Sequence, residues 1–298
     1  MLALRCVDAH MHLWDLNNLR YPWLMPPFSD SGPNGSVAAI AKNYELSDYF
    51  RDAEHFSIEK IVHIEAGAHP DDALNETKWL QSIADTKQVA LAIVAHAQLN
   101  SGNVEALLDA HSQYKNVRGI RHILNWHPDS NKSYTEKNLL DDPAFKLGYS
   151  LLEKYQLSFD LQIYPNQMQQ AFALCKAFPN TNVIINHLGM PVDRDEESIR
   201  SWEKGMQLLS TLPHVAVKVS GLGFIDRSWS SASVKTLILQ VIDWFGTDRV
   251  LFASDFPTDK LFNPFSQAFN AYHMITHSFS ASERELMFAA NAERTYRI

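Results

Sequence analysis

The stretch Val7-Asp8-Ala9-His10-Met11-His12 lies close behind the amino terminus and combines the pattern of a strand with two histidines. Side chains alternate along a strand, so His10 and His12 project to the same side and can reach one ion or one substrate atom. Asp8 is predicted on that side as well, and the apolar residues between them on the other. Three ionisable groups on one face of a buried strand indicate a functional site. Taken alone, the pair fits equally well two solvent-facing histidines of an edge strand.

The composition is that of a globular chain of 298 residues, 46% hydrophobic and 20% charged. The formal net charge is -8 and the basic residues are scattered, which disfavours a nucleic acid or a membrane surface as a partner. Two cysteines are too few for a disulfide framework, and no apolar run approaches the ~20 residues of a membrane helix. We therefore expect a single cytoplasmic domain over residues 1–298. The sequence leaves open whether it forms a homo-oligomer.

Short β-branched runs alternate with helical patterns along the whole chain. The predicted strands are Leu4–Leu13, Ile58–Ala66, Val89–Leu99, Val117–Leu124, Leu157–Tyr164, Asn182–Leu188, Val215–Ser220 and Arg249–Phe256. Helices are predicted at Asn75–Ala84, at Val234–Phe245, from Pro143 and from Ser280. Eight such strand and helix units predict an α/β fold, a (β/α)8 TIM barrel. A doubly wound sheet is the alternative, but no glycine-rich phosphate loop follows the first strand.

One long segment, Asp15–Asn43, interrupts this alternation after the first strand and is rich in proline and glycine. A loop of this length in a compact domain is usually a lid or a binding loop. We predict that Trp14, Tyr21 and Trp23 wall a pocket beneath this lid loop, with Trp14 as a substrate-binding residue. The alternative, that the aromatic rings only pin the loop onto the barrel, is stronger for Trp23 than for Trp14.

In a barrel the outward face of each strand packs against helices and is apolar, so polar side chains are expected inside. In the second predicted strand this rule places Val62, Ile64 and Ala66 outward. The same rule places inward, or at carboxyl ends, the polar residues His63, Glu65, Asp160, Gln162, Lys218 and Asp255. The fourth strand has no clean apolar face, so the choice between Arg121 and His122 stays open. Catalytic barrels carry their sites at these carboxyl ends.

Six motifs, in order along the chain, resemble the amidohydrolase superfamily. They are Val-Asp-Ala-His10-Met-His12-Leu-Trp, Val-Arg-Gly-Ile-Arg121-His122, Asn186-His187-Leu-Gly-Met-Pro191, Val-Lys218-Val-Ser220-Gly221, Phe-Ala-Ser-Asp255-Phe-Pro257 and Ala-Asn291-Ala-Glu-Arg294-Thr-Tyr296. Within that superfamily they are most similar to amidohydrolase-2 type barrels related to sugar lactonases, such as L-fuconolactonase and L-rhamnonolactonase, and to pyrone dicarboxylate lactonase. One departure bears on substrate contacts: Met190 stands where such relatives often have lysine.

The resemblance implies a hydrolase of a small lactone, with His10, His12, His187 and Asp255 as the core of the site. The three imidazoles suit one divalent ion, with Zn2+ expected, while the resemblance leaves open whether the ion is needed. Asp255 is expected to act as the base, with His187 and Arg121 as further catalytic groups. Substrate contacts are expected from the side chains of Glu65, His122, Gln162, Lys218 and Trp14.

Two other functions are open at this point. Similar barrels also act as metal-dependent nonoxidative decarboxylases of aromatic or unsaturated acids, and a barrel of this kind could bind a ligand without turnover. Decarboxylase relatives tend to present a further strand-end histidine between the fifth strand and Asp255. The one inward strand histidine predicted in that interval here is His187, so the hydrolase is favoured. Arg121 is the main cation expected in the site, and a dicarboxylate needs more than one arginine. The sequence therefore predicts a neutral sugar lactone as the substrate, and hence a role in carbohydrate metabolism.

Overall fold

The structure, a computed structural model, describes residues 5–87 and 89–298 of the chain. Eight parallel strands follow one another in a single sheet in the order of the sequence. They are β1 (Cys6–Met11), β2 (Ile58–Ile64), β3 (Ala90–His96), β4 (Val117–Arg121), β5 (Ser158–Leu161), β6 (Val183–Ile185), β7 (Val215–Val219) and β8 (Val250–Phe252). Each lies within a predicted strand, so the barrel prediction is confirmed, although the predicted start at Leu4 lies outside the described residues.

The sheet closes on itself where the end of β1 meets the chain after β8. Met11 and Phe256 form a parallel bridge, and the amide of His12 donates to the carbonyl of Phe256 at 2.7 Å. The amide of Asp255 donates to the carbonyl of His10 at 2.8 Å. This closure brings the first and the last motif of the sequence side by side.

Helices connect the strands and cover the outside of the barrel. They are α1 (Leu46–Asp52), α2 (Ala73–Thr86), α3 (Val104–Ser112), α4 (Pro143–Lys154), α5 (Met168–Ala177), α6 (Glu196–Ser210), α7 (Leu222–Ile225), α8 (Ser231–Phe245), α9 (Phe265–Ile275), α10 (Ala281–Glu285) and α11 (Asn291–Tyr296). The helices predicted from Pro143 and Ser280 begin with the caps that the sequence indicated, since Asp142 accepts from the amide of Ala144 and Ser280 from that of Glu283. No described helix is long and apolar enough to cross a membrane.

Alternation along β2 is opposite to the prediction. Val62 and Ile64 belong to the apolar cluster inside the barrel, together with Val94 of β3. Ile61 instead joins the outer layer beneath the helices. His63 faces that layer too, because its register partner Ile93 is an outer residue and its ring nitrogen Nε2 lies 3.1 Å from the carbonyl of Leu13. The reason is that the barrel interior at this level is filled by aliphatic side chains, so an apolar residue does not by itself mark the outer face.

The register of β1 also departs from simple alternation. Between the pairs Asp8–Ile61 and Met11–His63, β1 has two residues and β2 has one, which is a β-bulge. Asp8 consequently faces the helices, where its carboxylate accepts hydrogen bonds from the Tyr49 hydroxyl at 2.7 Å and from the Ser254 amide at 2.9 Å. The prediction that Asp8 shares a face with the two histidines is therefore wrong.

The segment Asp15–Asn43 lies against the barrel through its aromatic residues. It contains two one-turn 3-10 helices, Pro22–Leu24 and Ala38–Ile40, where the sequence predicted no regular structure. At its two ends the residues Trp14 and Tyr44 form an antiparallel bridge. Movement of this segment as a lid stays a prediction.

The carboxyl-terminal helix α11 closes the barrel at the amino ends of the strands. The ammonium of Lys60 donates to the carbonyl of Ile298 at 3.0 Å, and Tyr296 packs into the interior apolar cluster. The Tyr296 hydroxyl donates to the carboxylate of Asp160 at 3.0 Å. The interior is therefore sealed at this end and is accessible from the carboxyl ends of the strands.

Candidate active site

Asp255 is the point on which the site converges. It follows β8 with a positive φ of 59°, and its side chain is buried. Its Oδ1 atom lies 3.3 Å from Nε2 of His10 and 3.2 Å from Nε2 of His12. Nε2 of His187 is 3.9 Å away. The four residues that the resemblance implied are thus assembled, and we call His10, His12, His187 and Asp255 the catalytic cluster, after the role that the resemblance implies for them.

Backbone geometry, more than strand alternation, aims His187 at the cluster. β6 ends at Ile185, and both His187 and Leu188 have positive φ, at 52° and 56°. This conformation is unusual for residues other than glycine and costs free energy that the surrounding structure must supply. Gly221 lies so close that a Cβ atom there would stand 2.4 Å from Nδ1 of His187. The glycine of the Val-Lys-Val-Ser-Gly motif is thereby explained: it leaves room for the imidazole.

Hydrogen bonds on the far side of two rings set which nitrogen faces Asp255. Nδ1 of His12 lies 2.7 Å from the carbonyl of Ile64, which can only accept, so Nδ1 carries the proton and Nε2 keeps its lone pair. Nδ1 of His187 lies 3.0 Å from the Ser220 hydroxyl. Nδ1 of His10 is buried without a hydrogen-bond partner among the described residues.

Burial dominates the electrostatics of the cluster. It lowers the pKa of His12 to about 3 and holds the pKa of His10 and His187 well below the usual value, with nearby cations adding to the effect. Burial also raises the pKa of Asp255 above its usual value. A neutral imidazole with an open lone pair is the form in which histidine binds a metal ion, whereas Asp255 would bind one as the carboxylate.

The donor set fits one divalent ion. Ligand atoms of His10, His187 and Asp255 all lie within 4.8 Å of one another. His12 adds a third imidazole against the same carboxylate oxygen. Zinc sites typically combine imidazole and carboxylate ligands, and the second ring nitrogen of such an imidazole often donates to a backbone carbonyl, as Nδ1 of His12 does to that of Ile64.

Arg121 lies beside the cluster and is held by its neighbours. Its Nε donates to Oε1 of Glu65 and its Nη2 to the Glu65 carbonyl, both at 2.6 Å, while Nη1 donates to Oε1 of Gln162 at 3.0 Å. Nη1 also lies 3.5 Å from Nε2 of His10. Glu65 and Gln162, predicted as substrate contacts, therefore act first on Arg121.

A cavity of about 220 Å³ opens above the cluster. It is lined by His12, Trp23, Asn34, Ala66, Gly67, Arg121, Ile123, Tyr134, Gln162, His187, Met190, Phe224, Asp255 and Thr258. Most of its outer part is apolar, whereas its floor holds the ionisable groups. This contrast between wall and floor is typical of sites that bind a small organic molecule and orient it with a few polar groups.

The structure decides the open question in β4. Arg121 lines the cavity, whereas His122 faces the helices, where its Nδ1 accepts from the amide of Leu99 at 3.2 Å and its ring packs against Phe145. The substrate-binding role predicted for His122 does not agree with this position. Alternation then brings Ile123 back to the cavity.

Two further predicted substrate contacts lie away from the cavity wall. Lys218 points into the barrel as predicted, but it does not line the cavity, and its ammonium donates to the carboxylate of Asp160. Trp14 is buried behind Trp23, packs edge-on against it at 5.5 Å between ring centroids, and donates from Nε1 to the carbonyl of Lys42. Trp23, for which the pinning alternative was stronger than for Trp14, lines the cavity and also fastens the segment through the bond from its Nε1 to the Ala66 carbonyl.

Sequence reasoning missed Asn34, Phe224 and Thr258 in the cavity lining, because they come from loops and a short helix that no strand rule covers. Trp23 and Asn34 lie in the Asp15–Asn43 segment, Phe224 in the short helix α7 and Thr258 after β8. Gly67 is one sequence feature that bears on the wall. It has a positive φ of 71°, and a Cβ atom there would stand 2.9 Å from Nε1 of Trp23, so only glycine leaves room for that ring.

Comparison with known proteins agrees with this geometry. The amidohydrolase family model matches residues 7–298. The chain is 40% identical over 299 residues to the uncharacterized protein y4mH of Sinorhizobium fredii, and the aligned region covers 100% of both chains. It is 25% identical to the L-fucono-1,5-lactonase of Burkholderia multivorans, over 99% of this chain and 97% of that protein.

A solved structure extends the comparison to the fold. The chain superposes with a TM-score of 0.81 on a crystal structure of an amidohydrolase from Burkholderia multivorans with bound zinc, at 22% identity and with 99% of each chain covered. Since the family model spans nearly the whole chain and the barrel with its histidine and aspartate cluster is in place, this protein belongs to the amidohydrolase family.

Proposed function

We propose that this protein hydrolyses a small lactone to the open hydroxy acid. The observation that carries the proposal is the convergence of the Asp255 carboxyl group with Nε2 of His10 and His12, within 3.3 Å, at the floor of a cavity that Arg121 also lines. Similarity over nearly the full length to L-fucono-1,5-lactonases supports the lactone as the bond that is cleaved.

The reaction needs a base for water and an acid for the leaving alkoxide. Asp255 takes a proton from a water as the water oxygen bonds to the lactone carbonyl carbon. When the ring carbon–oxygen bond breaks, Asp255 returns that proton to the alkoxide oxygen, which gives the hydroxyl of the product. His12 and His187, whose Nε2 atoms face Asp255, hold the water in place.

Arg121 supplies positive charge next to the carbonyl oxygen while negative charge develops there. Its orientation is fixed in advance because Glu65 grips Nε and Nη2. A divalent ion held by His10, His12, His187 and Asp255 would add polarisation of the carbonyl and acidification of the water. Asp255 could serve both roles because a carboxylate has two oxygen atoms, and with an ion bound the imidazoles would hold the ion in place of the water.

The charge balance of the cavity favours a neutral substrate. Among its lining residues Arg121 is the permanent cation, and Glu65 at 2.6 Å already balances that charge. Arg20 of the Asp15–Asn43 segment pairs with Asp72 at 2.6 Å and is largely exposed, so it adds no second cation to the lining. A dicarboxylate would therefore enter without the arginine partners that bind such anions. Sugar lactones, neutral and similar to the substrates named for the relatives, are the first compounds to test.

The test is ring opening of a panel of aldonolactones, followed as acid release, with and without a chelator. We expect turnover by the native protein and a loss of about 10²–10⁴-fold in kcat for Asp255→Asn, the range that a general acid–base group contributes. Asp109→Asn, at an exposed position of α3, is the matched control and should leave kcat unchanged. Release of carbon dioxide from aromatic acids, with no lactone opened, would establish the decarboxylase instead.

A further inference from the structure

Five apolar side chains line the cavity, from Trp23, Ala66, Ile123, Met190 and Phe224, and we define them as the outer wall. The polar residues Asn34, Tyr134 and Thr258 line the cavity beside them. The outer wall offers an indole, a methyl, a branched alkyl, a thioether and a phenyl group to whatever fills the space above the catalytic cluster. Such a wall stabilises an apolar substituent by removing it from water.

The polar groups nearby are mostly committed to one another. Oε1 of Gln162 accepts from Arg121, and Glu65 is bound to the same guanidinium. The Tyr134 hydroxyl donates to Oδ1 of Asn34. A polyhydroxylated ring could use these particular atoms only by exchanging an existing partner for a substrate hydroxyl. The amide nitrogens of Asn34 and Gln162 and the Thr258 hydroxyl are further polar atoms of the lining residues.

The wall is held in place by its own contacts. Met190 adopts a left-handed backbone with φ 49° and ψ 63°, and its sulfur accepts from Nδ2 of Asn125 at 3.3 Å. Trp23 donates from Nε1 to the carbonyl of Ala66 at 2.8 Å, which fixes its ring over the entrance side. Fixed apolar side chains cannot turn away to let hydroxyls reach other donors.

Two effects therefore act in the same direction on the substrate. A hydroxyl placed against this wall loses its hydrogen bonds to water without replacement, which weakens binding roughly tenfold or more for each one. A methylene group in the same place strengthens binding several-fold. Together the two effects make binding of a ring with many hydroxyls weaker than binding of a ring with an apolar substituent.

We infer that the preferred substrate is a lactone with few hydroxyls that carries an alkyl or aryl substituent, seated against the outer wall with its ring carbonyl towards Arg121 and the catalytic cluster. The inference rests on the proposed lactone hydrolysis and narrows its substrate class. It departs from the polyhydroxylated sugar lactone that the sequence predicted.

The experiment compares kcat/KM for three six-membered lactones: δ-valerolactone, δ-decalactone and D-glucono-1,5-lactone. We expect δ-decalactone to exceed δ-valerolactone by about tenfold or more, chiefly through KM, because its pentyl chain adds apolar contact. D-Glucono-1,5-lactone should be the poorest of the three.

The variant Met190→Asn tests the wall itself, since asparagine tolerates the left-handed backbone better than most residues. It should reduce the ratio of kcat/KM between δ-decalactone and D-glucono-1,5-lactone by about tenfold. The matched control is Leu147→Asn, at a position of α4 that is 70% exposed, and it should leave the ratio unchanged. A thermal melt of both variants shows that they are folded.

The outcomes separate the two proposals. If D-glucono-1,5-lactone is the best of the three substrates, the inference about the substrate class is overturned and lactone hydrolysis stands. An unchanged ratio in folded Met190→Asn also overturns it. If none of these lactones or the aldonolactone panel is opened, the proposed function fails, and the inference fails with it.

Discussion

Two buried polar clusters occupy the barrel interior, and they differ in how completely their atoms are paired. The catalytic cluster at the carboxyl ends leaves Nδ1 of His10 without a partner among the described residues and turns lone pairs towards a cavity. The lower cluster, which we define as Asp160, Lys218 and Tyr296, is closed: the ammonium and the hydroxyl both donate to the one carboxylate.

The completeness of pairing distinguishes a candidate catalytic cluster from a structural one better than the types of residue do. Lysine and aspartate inside a barrel satisfy the sequence criteria for a site as fully as histidine and aspartate. In the lower cluster Lys218 is fully buried, its Nζ lies 5.0 Å from the ring centre of Tyr296, and it is not among the residues that line the cavity. Its charge is still near enough to contribute to the lowered pKa of His10. We expect substitutions in the lower cluster to change stability and substitutions in the catalytic cluster to change turnover.

The largest effect on stability is expected from Lys218→Met. Removing one partner of a buried ion pair leaves the Asp160 carboxylate uncompensated, which typically costs about 3–5 kcal/mol. Urea denaturation should show that loss in the free energy of unfolding. Asp255→Asn is the counterpart in the other cluster, and it should retain the native free energy of unfolding while losing activity.

A double variant sharpens this prediction. Asp160→Asn in the Lys218→Met background removes the orphaned charge and should recover part of the lost stability, since the desolvation cost lies mainly in the unpaired ion. A lower cluster with a direct catalytic role would behave otherwise: Lys218→Met would then lose turnover with its unfolding transition unchanged.

The two clusters should also differ in whether they bind a metal ion. The catalytic cluster offers ligands for one ion, and the lower cluster pairs its carboxylate with a cation of its own. We expect elemental analysis of the protein to give at most about one divalent ion per chain, and His187→Ala to lower that content. The exposed histidine variant His55→Ala is the control. Two equivalents per chain would contradict the prediction.

The barrel was predictable from the sequence because its signal is repeated eight times, and small errors at strand ends do not change the topology. The four residues of the catalytic cluster were named through the family resemblance. Closure of the sheet explains why they meet, since each lies at the carboxyl end of a strand. Their convergence within 3.9 Å on one carboxylate oxygen follows from that closure.

What failed were inferences that needed the local register. Strand alternation misplaced Asp8 because of the bulge in β1, and it misplaced His63 because the interior of β2 is aliphatic. It could not choose between Arg121 and His122, since the difference lies in helix contacts from distant parts of the chain. The outer wall depends on loop conformations such as the left-handed backbone of Met190, which no periodicity encodes.

A smaller effect is expected for Glu65→Gln, which tests the link between Arg121 and the catalytic cluster. The variant keeps the shape of the side chain but removes the charge that orients the guanidinium, and outer contacts of this kind typically contribute about 10–100-fold to activity. kcat/KM should fall within that range with the fold intact. The matched control Glu54→Gln changes an exposed carboxylate. Native kinetics in Glu65→Gln would show that Arg121 is positioned without it.

The smallest effect is expected from Tyr296→Phe in the lower cluster. The hydroxyl donates to both oxygens of Asp160, at 3.1 Å and 3.0 Å, but Lys218 keeps that carboxylate paired after the hydroxyl is removed. Hydrogen bonds to charged groups contribute about 1.5–3 kcal/mol, and we expect the cost to lie near the lower limit because a cation remains.

Since the ring stays in place and the apolar cluster around it is preserved, the melting temperature of Tyr296→Phe should fall by only a few degrees, roughly 2–4 °C for each kcal/mol. kcat/KM should equal that of the native protein, because the hydroxyl contacts Asp160 and no residue that lines the cavity. A clear fall in kcat/KM of the folded variant would mean that the lower cluster transmits its charge to Arg121 and the catalytic cluster above it. The division between a structural and a catalytic end of the barrel would then have to be abandoned.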